Sequence, residues 1–384
     1  MIENFAENNQ ETLFNIVRSL CNLPAPSFGE RKRAEFCKQW LENMGAAGVY
    51  IDAVNNVIFP LCCEGSNEIT VIAAHTDTVF PDTERYPEYR EDDDCIYCPG
   101  AGDDASGVAV LLMTAKYFIE NKLMPRGGVL FVCNSCEEGL GNLVGVRQLM
   151  KDYAGRIKRF ITYDAFIGKV TTSAAGSHRY EVTVTTEGGH SYQKFGKPNA
   201  IAVLSRIIND IYSIEVPQKD GVRTTYNVGI AEGGTSVNTI AQSASMLCEY
   251  RSNDRESLNA MQIAFDRIFA AAQSKNVSVS VKKIGDRPCK GEVDLSAEAE
   301  MVQAYANAVK EVVGVDTDDQ IASTDANIPM SQGIAAICVG TFESYGSHTR
   351  EEYTVKEGLT KGLKISLKML TALTTASSKG TRAG

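Results

Sequence analysis

The chain has 384 residues, 43% of them hydrophobic, so it is long enough to bury a large core in one or two domains. Its net charge of -10, without a Lys/Arg-rich stripe, excludes nucleic acid and anionic membranes as expected partners. We expect a cytoplasmic protein with reduced thiols, because the start of the chain is polar and acidic and no apolar run is long enough to cross a membrane. The 11 cysteines, without an export signal, agree with this expectation.

Helical periodicity begins the chain, and strands that alternate with helices follow it. The spacing of apolar residues predicts helices at Glu11–Cys21 and Glu30–Met44. Short apolar runs predict buried strands at Ile69–Ala74, Val129–Cys133, Phe160–Tyr163 and Ala335–Val339. Longer periodic segments between them predict helices at Ala105–Ile119 and Leu143–Tyr153. This alternation is typical of an α/β fold with a mixed, mostly parallel sheet flanked by helices.

The rhythm changes between about Ser177 and Lys283. The predicted strands are Tyr180–Thr186, Thr224–Ile230, Ser243–Tyr250 and Val277–Val281. One predicted helix, Asn199–Ile214, follows the first strand, and another, Arg255–Ser274, follows the third. This βαββαβ order is the ferredoxin-like pattern. We therefore predict an inserted α+β domain at residues 177–284, between the two parts of a main domain at 1–176 and 285–384. A single continuous domain is the alternative.

Polar side chains follow the predicted strands of the main domain. They are His75 and Asp77 after the first strand, Glu137 and Glu138 after the second, Asp164 after the third, and His348 in a loop beyond the fourth. Asp103 lies in the glycine-rich loop Gly100–Asp104, at the entrance to a helix. Because open α/β sheets bind ligands at the carboxyl ends of their strands, we expect these side chains to converge.

Two imidazoles and three carboxylates at one sheet edge are unfavourable unless cations neutralise the carboxylates. Mixed His, Asp and Glu ligation is typical of zinc, and it also suits cobalt or manganese. If two metals bind, a bridging carboxylate is needed, and Asp103 in its tight loop is the candidate.

Each of these residues also has a purely structural explanation. A histidine after a strand can be a surface or core residue, Glu137–Glu138 can be a solvated helix start, and Asp103–Asp104 can be a helix N-cap. The chain has only 4 histidines, and two of them fall at sheet-end positions beside acids, which favours the metal site.

Two cysteine pairs have the spacing of thiolate zinc ligands. Cys95 with Cys98 and Cys133 with Cys136 could form a four-thiolate site. The favoured interpretation is that these are small buried apolar residues, because Cys133 lies on a predicted strand and Cys136 precedes the acidic pair.

Five segments, in order along almost the whole chain, resemble the signatures of a superfamily of di-zinc hydrolases. They are Ala74–Val79, Gly100–Gly107, Cys136–Gly139, Gly188–Ser191 and Ser347–Thr349. The superfamily includes peptidase T, glutamate carboxypeptidase and acetylornithine deacetylase. Two further segments look most like the peptidase T branch, namely Ser323–Asn327 and Gly234–Asn238. The resemblance implies a catalytic di-metal domain with an inserted lid and dimerisation domain.

The resemblance also implies a role for each matching residue of the main domain. His75, Asp103 and Asp164 would hold one zinc ion, and Asp103, Glu138 and His348 would hold the other. Asp77 would orient His75. Glu137 would be the general base, which takes a proton from metal-activated water and delivers it to the leaving amine.

For the inserted domain, the resemblance implies a homodimer. His190 would reach into the partner's site and stabilise the oxyanion. Asn238 and Arg251 match positions that grip substrate, and Arg251 is suited to a terminal carboxylate. From sequence alone, the alternative for His190 is a turn histidine, and the alternative for Arg251 is an ion-pair partner on a sheet surface. His178 has no role in the resemblance, and a structural role is expected for it.

Three functions compete. The leading hypothesis is an aminopeptidase that releases N-terminal residues from di- and tripeptides. The second is an N-acyl-amino-acid deacylase or carboxypeptidase of the same superfamily. The third is a binding or scaffold protein that keeps the fold without activity; such a protein is expected to have lost a ligand or the base, and none is lost here.

Overall fold

A computed structural model describes residues 1–80 and 89–375. Its helices are α1 Ile2–Asn8, α2 Gln10–Cys21, α3 Arg31–Asn43, α4 Ala105–Glu120, α5 Val144–Asp152, α6 Ala200–Tyr212, α7 Arg255–Ala272, α8 Leu295–Val312, α9 Asn327–Ser331 and α10 Lys356–Thr374. Its strands are β1 Tyr50–Ile51, β2 Val57–Leu61, β3 Ile69–His75, β4 Arg90–Glu91, β5 Cys95–Tyr97, β6 Val129–Asn134, β7 Ile157–Phe166, β8 Lys169–Ala174, β9 Gly176–Thr186, β10 Gly189–His190, β11 Thr224–Gly233, β12 Thr239–Ile240, β13 Ser243–Ser252, β14 Val277–Arg287, β15 Asp318–Ala322, β16 Ala335–Phe342, β17 Ser344–Tyr345 and β18 Tyr353–Val355.

The largest sheet has eight strands in the order β1-β2-β6-β3-β7-β16-β8-β15. Its central strands β6, β3, β7 and β16 pair in parallel, while β2 and β8 join them in antiparallel. Every residue of β3, β6 and β16 is buried, which explains their continuous apolar runs. The predicted α/β class with a mixed, mostly parallel sheet is confirmed.

Helix α4 connects the hydrophobic core to the loop that carries Asp103. Asp104 caps this helix, because its side chain accepts a hydrogen bond from the Gly107 backbone N–H at 3.1 Å. The residues of α4 from Ala105 to Phe118 are all buried, and the helix contacts α2, α10 and β3. The N-cap explanation therefore applies to Asp104, and Asp103 is left to face the end of the sheet.

The end of β7 differs from the prediction. The apolar run stops at Tyr163, but the strand continues to Phe166, so Asp164 lies within the strand and not after it. Val339 of β16 pairs with Tyr163, and Gly340 pairs with Ala165, which leaves Asp164 as an extra residue. Such a bulge redirects a side chain, and bulges are common beside functional sites.

The chain divides into two compact units. The main unit contains Met1–Thr172 and the chain from Gly291 onward, and the inserted unit is Ser173–Lys290. The predicted insert, residues 177–284, falls within the second of these. The final stretch of the predicted main domain, residues 376–384, lies outside the described residues.

The inserted unit has its own sheet and core. Its four-stranded antiparallel sheet has the order β11-β13-β9-β14, which is the ferredoxin-like arrangement for this chain order. Residues alternate between buried and more exposed along β9 and β13, and the buried side packs with α6 and α7.

Across residues 1–80 and 89–375, no helix is long and apolar enough to cross a membrane.

Candidate metal centre

His75, the last residue of β3, has a fully buried side chain. Its Nδ1 lies 3.2 Å from the carbonyl oxygen of Asp77, which can only accept, so Nδ1 carries the proton. Its Nε2 lies 3.0 Å from Asp103 Oδ1 but has no hydrogen-bond partner of acceptable geometry among the described residues. The lone pair of Nε2 is therefore free to bind a cation, as in metal sites whose histidine is oriented through its other nitrogen.

Asp103 lies between the two histidines. Its Oδ1 faces His75 Nε2 at 3.0 Å, and its Oδ2 faces His348 Nε2 at 3.1 Å. Glu138 Oε1 is 3.2 Å from the same nitrogen of His348, and Asp164 Oδ1 is 3.9 Å from His75 Nε2. The structure thus brings the five predicted ligands together, with one oxygen of Asp103 directed to each histidine.

Two overlapping groups of these side chains have ligand atoms close enough to share an ion. His75, Asp103 and Glu138 form one group, and His75, Glu137 and Asp164 form the other, with the atoms of each group within 4.8 Å of one another. Imidazole nitrogens and carboxylate oxygens at these separations fit a divalent transition metal.

Asp77 holds the backbone of both glutamates in addition to orienting His75. Its Oδ1 accepts the backbone N–H of Glu137 at 2.9 Å, and its Oδ2 accepts that of Glu138 at 2.9 Å. Oδ2 also accepts the hydroxyl of Ser27 at 2.7 Å. One buried carboxylate therefore fixes His75 and both glutamates relative to one another.

Glu30 is a further contributor that sequence reasoning missed. It is fully buried, and its Oε1 accepts the backbone N–H groups of Phe28 at 2.9 Å and Cys136 at 3.1 Å. The amides of Cys136, Glu137 and Glu138 are consequently held in succession by two buried carboxylates, Glu30 and Asp77. No sequence signal distinguishes Glu30, since it reads as the first residue of a predicted helix.

The electrostatics of the centre favour a bound cation. Burial raises the pKa of Glu138 to about 7, and it holds the pKa of Asp164 well above its usual range, where the charge of Asp103 adds to the shift. Hydrogen bonds to Asp103 and Glu138 raise the pKa of His348 to about 11. These shifts all reflect an excess of buried negative charge, which a divalent ion would relieve.

The three remaining predicted residues lie in the inserted unit. His190 is exposed on β10, and its Nδ1 accepts the backbone N–H of Tyr192 at 3.3 Å. Asn238 is close to it, because the Ser191 backbone N–H donates to the Asn238 carbonyl at 3.0 Å. Arg251 forms a two-pronged ion pair with Glu249, at 2.8 and 3.0 Å, which is the sheet-surface pairing that the sequence alone suggests.

His178 and the cysteines lie outside the centre. His178 is buried, with Nδ1 2.6 Å from the Tyr250 hydroxyl and Nε2 3.5 Å from Asp286 Oδ1, a network consistent with a structural role. All the cysteines are free thiols. No cysteine belongs to the candidate metal-binding groups found in the described part of the chain, so the four-thiolate alternative receives no support.

Comparison with protein families places this centre in a known context. The model of peptidase family M20/M25/M40 matches residues 71–372, which include all five predicted ligands. The chain belongs to this family. It is therefore a hydrolase of a metallopeptidase family, which confirms the superfamily placement drawn from the motifs.

Individual M20 relatives are distant. A succinyl-diaminopimelate desuccinylase of Corynebacterium glutamicum is 25% identical over 253 residues, which are 64% of this chain and 67% of that protein. The structure of aminopeptidase PepT from Bacillus cereus is 20% identical and has a TM-score of 0.72, covering 95% of this chain and 99% of its own. A dinuclear metal-binding M20 peptidase from Bacillus subtilis is 16% identical, with a TM-score of 0.66 and coverage of 95% and 98%.

Proposed function

We propose that the chain is a dinuclear metal aminopeptidase that releases N-terminal residues from di- and tripeptides. The observation that carries the dinuclear part of this proposal is the position of Asp103, whose two oxygens lie 3.0 Å from His75 Nε2 and 3.1 Å from His348 Nε2. A carboxylate that faces two separate ligand sets is suited to bridge two ions. The donor types favour zinc, with cobalt or manganese as alternatives.

The proposed ligands form two sets that share Asp103. His75 and Asp164 would hold one ion with it, and Glu138 and His348 would hold the other. When bound, the ions supply Lewis-acid chemistry, since they polarise a carbonyl and acidify a water.

Glu137 is the proposed general base. It accepts the proton of the attacking water and delivers it to the leaving amine. The Glu137 backbone N–H donates a hydrogen bond to Asp77 Oδ1 at 2.9 Å. A carboxylate oxygen of Glu137 lies within 4.8 Å of ligand atoms of His75 and Asp164, so the base is held beside the proposed ion.

Two features support a small peptide as substrate. The segments Ser323–Asn327 and Gly234–Asn238 look like those of the peptidase T branch, and the PepT structure has the same fold over nearly the whole chain. The second candidate is an N-acyl-amino-acid deacylase or carboxypeptidase, and the similarity to a desuccinylase favours it. Asn238 and Arg251 remain proposed substrate contacts, and Arg251 would have to exchange Glu249 for a substrate carboxylate.

A substrate panel distinguishes the two candidates. The purified chain is assayed with free di- and tripeptides, with N-acetyl and N-succinyl amino acids, and with C-terminally amidated tripeptides, each with and without a chelator. We expect chelator-sensitive release of the N-terminal residue from free peptides. Turnover of N-blocked substrates alone would replace the aminopeptidase with the deacylase or carboxypeptidase. Turnover that survives metal removal would contradict both.

We also propose a homodimer formed through the inserted unit, in which His190 completes the partner's site. The support is an exposed edge strand, β11, together with exposed apolar residues on this unit, including Ile201, Tyr212, Ile230 and Val237. Exposed edges of this kind pair readily with a second chain.

Sedimentation tests the dimer. The variant Ile230→Lys places a charge on β11, and Ser280→Lys is the matched control on the opposite edge strand, β14. We expect Ile230→Lys to be a monomer, and the wild type and Ser280→Lys to be dimers. A monomeric wild type would contradict the proposal.

A further inference from the structure

Glu352 is a buried carboxylate in the same loop as His348, between β17 and β18. It is neither a proposed metal ligand nor the proposed general base. Its surroundings show that it holds the glycine-rich loop on which Asp103 lies.

The contacts between Glu352 and that loop are direct. Its Oε2 accepts the backbone N–H of Gly100 at 2.6 Å, and its Oε1 accepts those of Gly102 at 3.0 Å and Asp103 at 2.9 Å. Its own carbonyl oxygen accepts the backbone N–H of Cys98 at 3.0 Å. The loop is therefore attached along its length to one buried carboxyl group and its backbone carbonyl.

The two glycines allow this close approach. A Cβ atom on Gly102 would lie 1.9 Å from Ser344 Oγ and 2.9 Å from Glu352 Oε1. A Cβ on Gly100, which has a positive φ of 76°, would lie 2.6 Å from Thr78 Cγ2. The glycine pattern of this loop is thus explained by the space that the neighbouring side chains occupy.

The position of Glu352 is itself well defined. Strands β17 and β18 pair in antiparallel, and β18 pairs with β5, the strand that precedes the glycine-rich loop. The segment from β17 to β18 thus supplies His348 to Asp103 Oδ2 and supplies Glu352 to the Asp103 backbone.

We propose that Glu352 is a positioning residue that sets Asp103 in its bridging orientation and thereby controls the affinity for both metal ions. This inference rests on the proposed dinuclear function. The aspartate side chain follows its backbone, so loosening three N–H contacts moves both carboxylate oxygens relative to His75 and His348. Loss of partners that orient metal ligands typically lowers metal affinity by ~10–100-fold.

The test compares Glu352→Gln with Glu351→Gln in the full chain. Glu351 is the exposed neighbour in the same loop, so the control makes the same substitution outside the contacts with the glycine-rich segment. An amide can replace only one carboxylate oxygen as acceptor, and its NH₂ group opposes the other donor. The readouts are Zn²⁺ affinity by chelator competition, the visible absorption spectrum of the Co²⁺ form, and thermal unfolding of the metal-free chain.

We expect Glu352→Gln to bind both ions ~10–100-fold more weakly and to change the Co²⁺ spectrum, with Glu351→Gln like the wild type. Unchanged affinity and spectrum in Glu352→Gln would overturn the positioning role. If Glu352→Gln does not fold, Glu352→Asp, which keeps the charge but shortens the reach, decides by the same criteria. A wild type that binds no metal would instead overturn the proposed function.

Discussion

The main unit and the inserted unit treat their chemically important residues in opposite ways. In the main unit, His75, Asp77, Glu137 and Glu138 are buried and held by hydrogen bonds from neighbouring loops. In the inserted unit, the proposed contributors His190 and Asn238 are exposed, and Arg251 is paired with Glu249.

This difference indicates what each unit needs to become functional. Buried carboxylates are unfavourable without a compensating charge, so the main unit is arranged for cations. Exposed donors have no such requirement and are available to a substrate or a second chain. The main unit therefore resembles a preorganised centre, and the inserted unit resembles an exposed binding surface.

The largest expected effect tests the buried side of the comparison. Glu137→Gln removes the proposed base but keeps its size, so we expect kcat to fall by ~10²–10⁴-fold. Metal content should stay at the wild-type level, because the ion beside Glu137 would be held by His75, Asp103 and Asp164. The measurement is steady-state peptide hydrolysis with metal analysis, and Glu64→Gln, an exposed site, is the control. Wild-type kcat in Glu137→Gln would remove this residue from the mechanism.

The next effect tests the exposed side. His190→Ala removes the proposed oxyanion donor, and loss of one such donor typically costs ~10²–10³-fold in kcat. Metal affinity should not change, since His190 lies in the other unit. Gln193→Ala, on the same exposed turn, serves as the control for kinetic assays.

A mixture of two inactive variants tests whether His190 acts in the partner's site. If His190 acts in the partner's site, exchange of subunits between His190→Ala and Glu137→Gln should restore activity, because one site of the mixed dimer then has both groups. Two inactive variants that stay inactive after proven exchange would place His190 outside the partner's site.

A smaller effect concerns the loop that carries Glu137. Glu30→Gln replaces the buried carboxylate that accepts the Cys136 N–H at 3.1 Å, so the base should be less well positioned. We expect kcat/KM to fall by ~10-fold, at the lower end of the range for residues that orient catalytic or metal-binding groups. Glu35→Gln, an exposed position on α3, is the control, and equal kcat/KM in both variants would refute this role for Glu30.

The smallest expected effect is on stability and lies in the inserted unit. The hydrogen bond from His178, with a further one from Lys283, holds the pKa of Asp286 below its usual range. A lowered folded-state pKa means that this stabilisation is present above the unfolded pKa of about 3.9 and is lost as the pH falls through the folded value. Urea unfolding of the wild type and Asp286→Asn should therefore converge at acidic pH. A difference that persists there would show that the ion pair is not its source.

The sequence singles out the proposed ligands through local signals. His75 and Glu138 come after apolar strands, and Asp103 lies in a glycine-rich loop at a helix entrance. The residues that hold them have no such signal. Glu30 and Glu352 contact their loops only after folding, across 106 and 252 positions of the chain.

Two differences in the fold have identifiable physical causes. The bulge at Asp164 depends on pairing between β7 and β16, which local apolar runs do not encode. Helix α10 is not among the predicted helices, and it contains Gly358 and Gly362, which disfavour helices. Gly362 is required by packing, since a Cβ there would lie 1.6 Å from the Thr341 carbonyl oxygen.

The most direct test of a dinuclear centre bridged by Asp103 is the metal content of the chain after dialysis. The wild type, Asp103→Asn and the exposed control Asp93→Asn are loaded with Zn²⁺, dialysed and analysed by mass spectrometry of the metal. Two ions per chain in the wild type and the control, with loss of tight binding at both sites in Asp103→Asn, is the predicted result. A single ion in the wild type, or two ions retained by Asp103→Asn, would contradict the bridged centre.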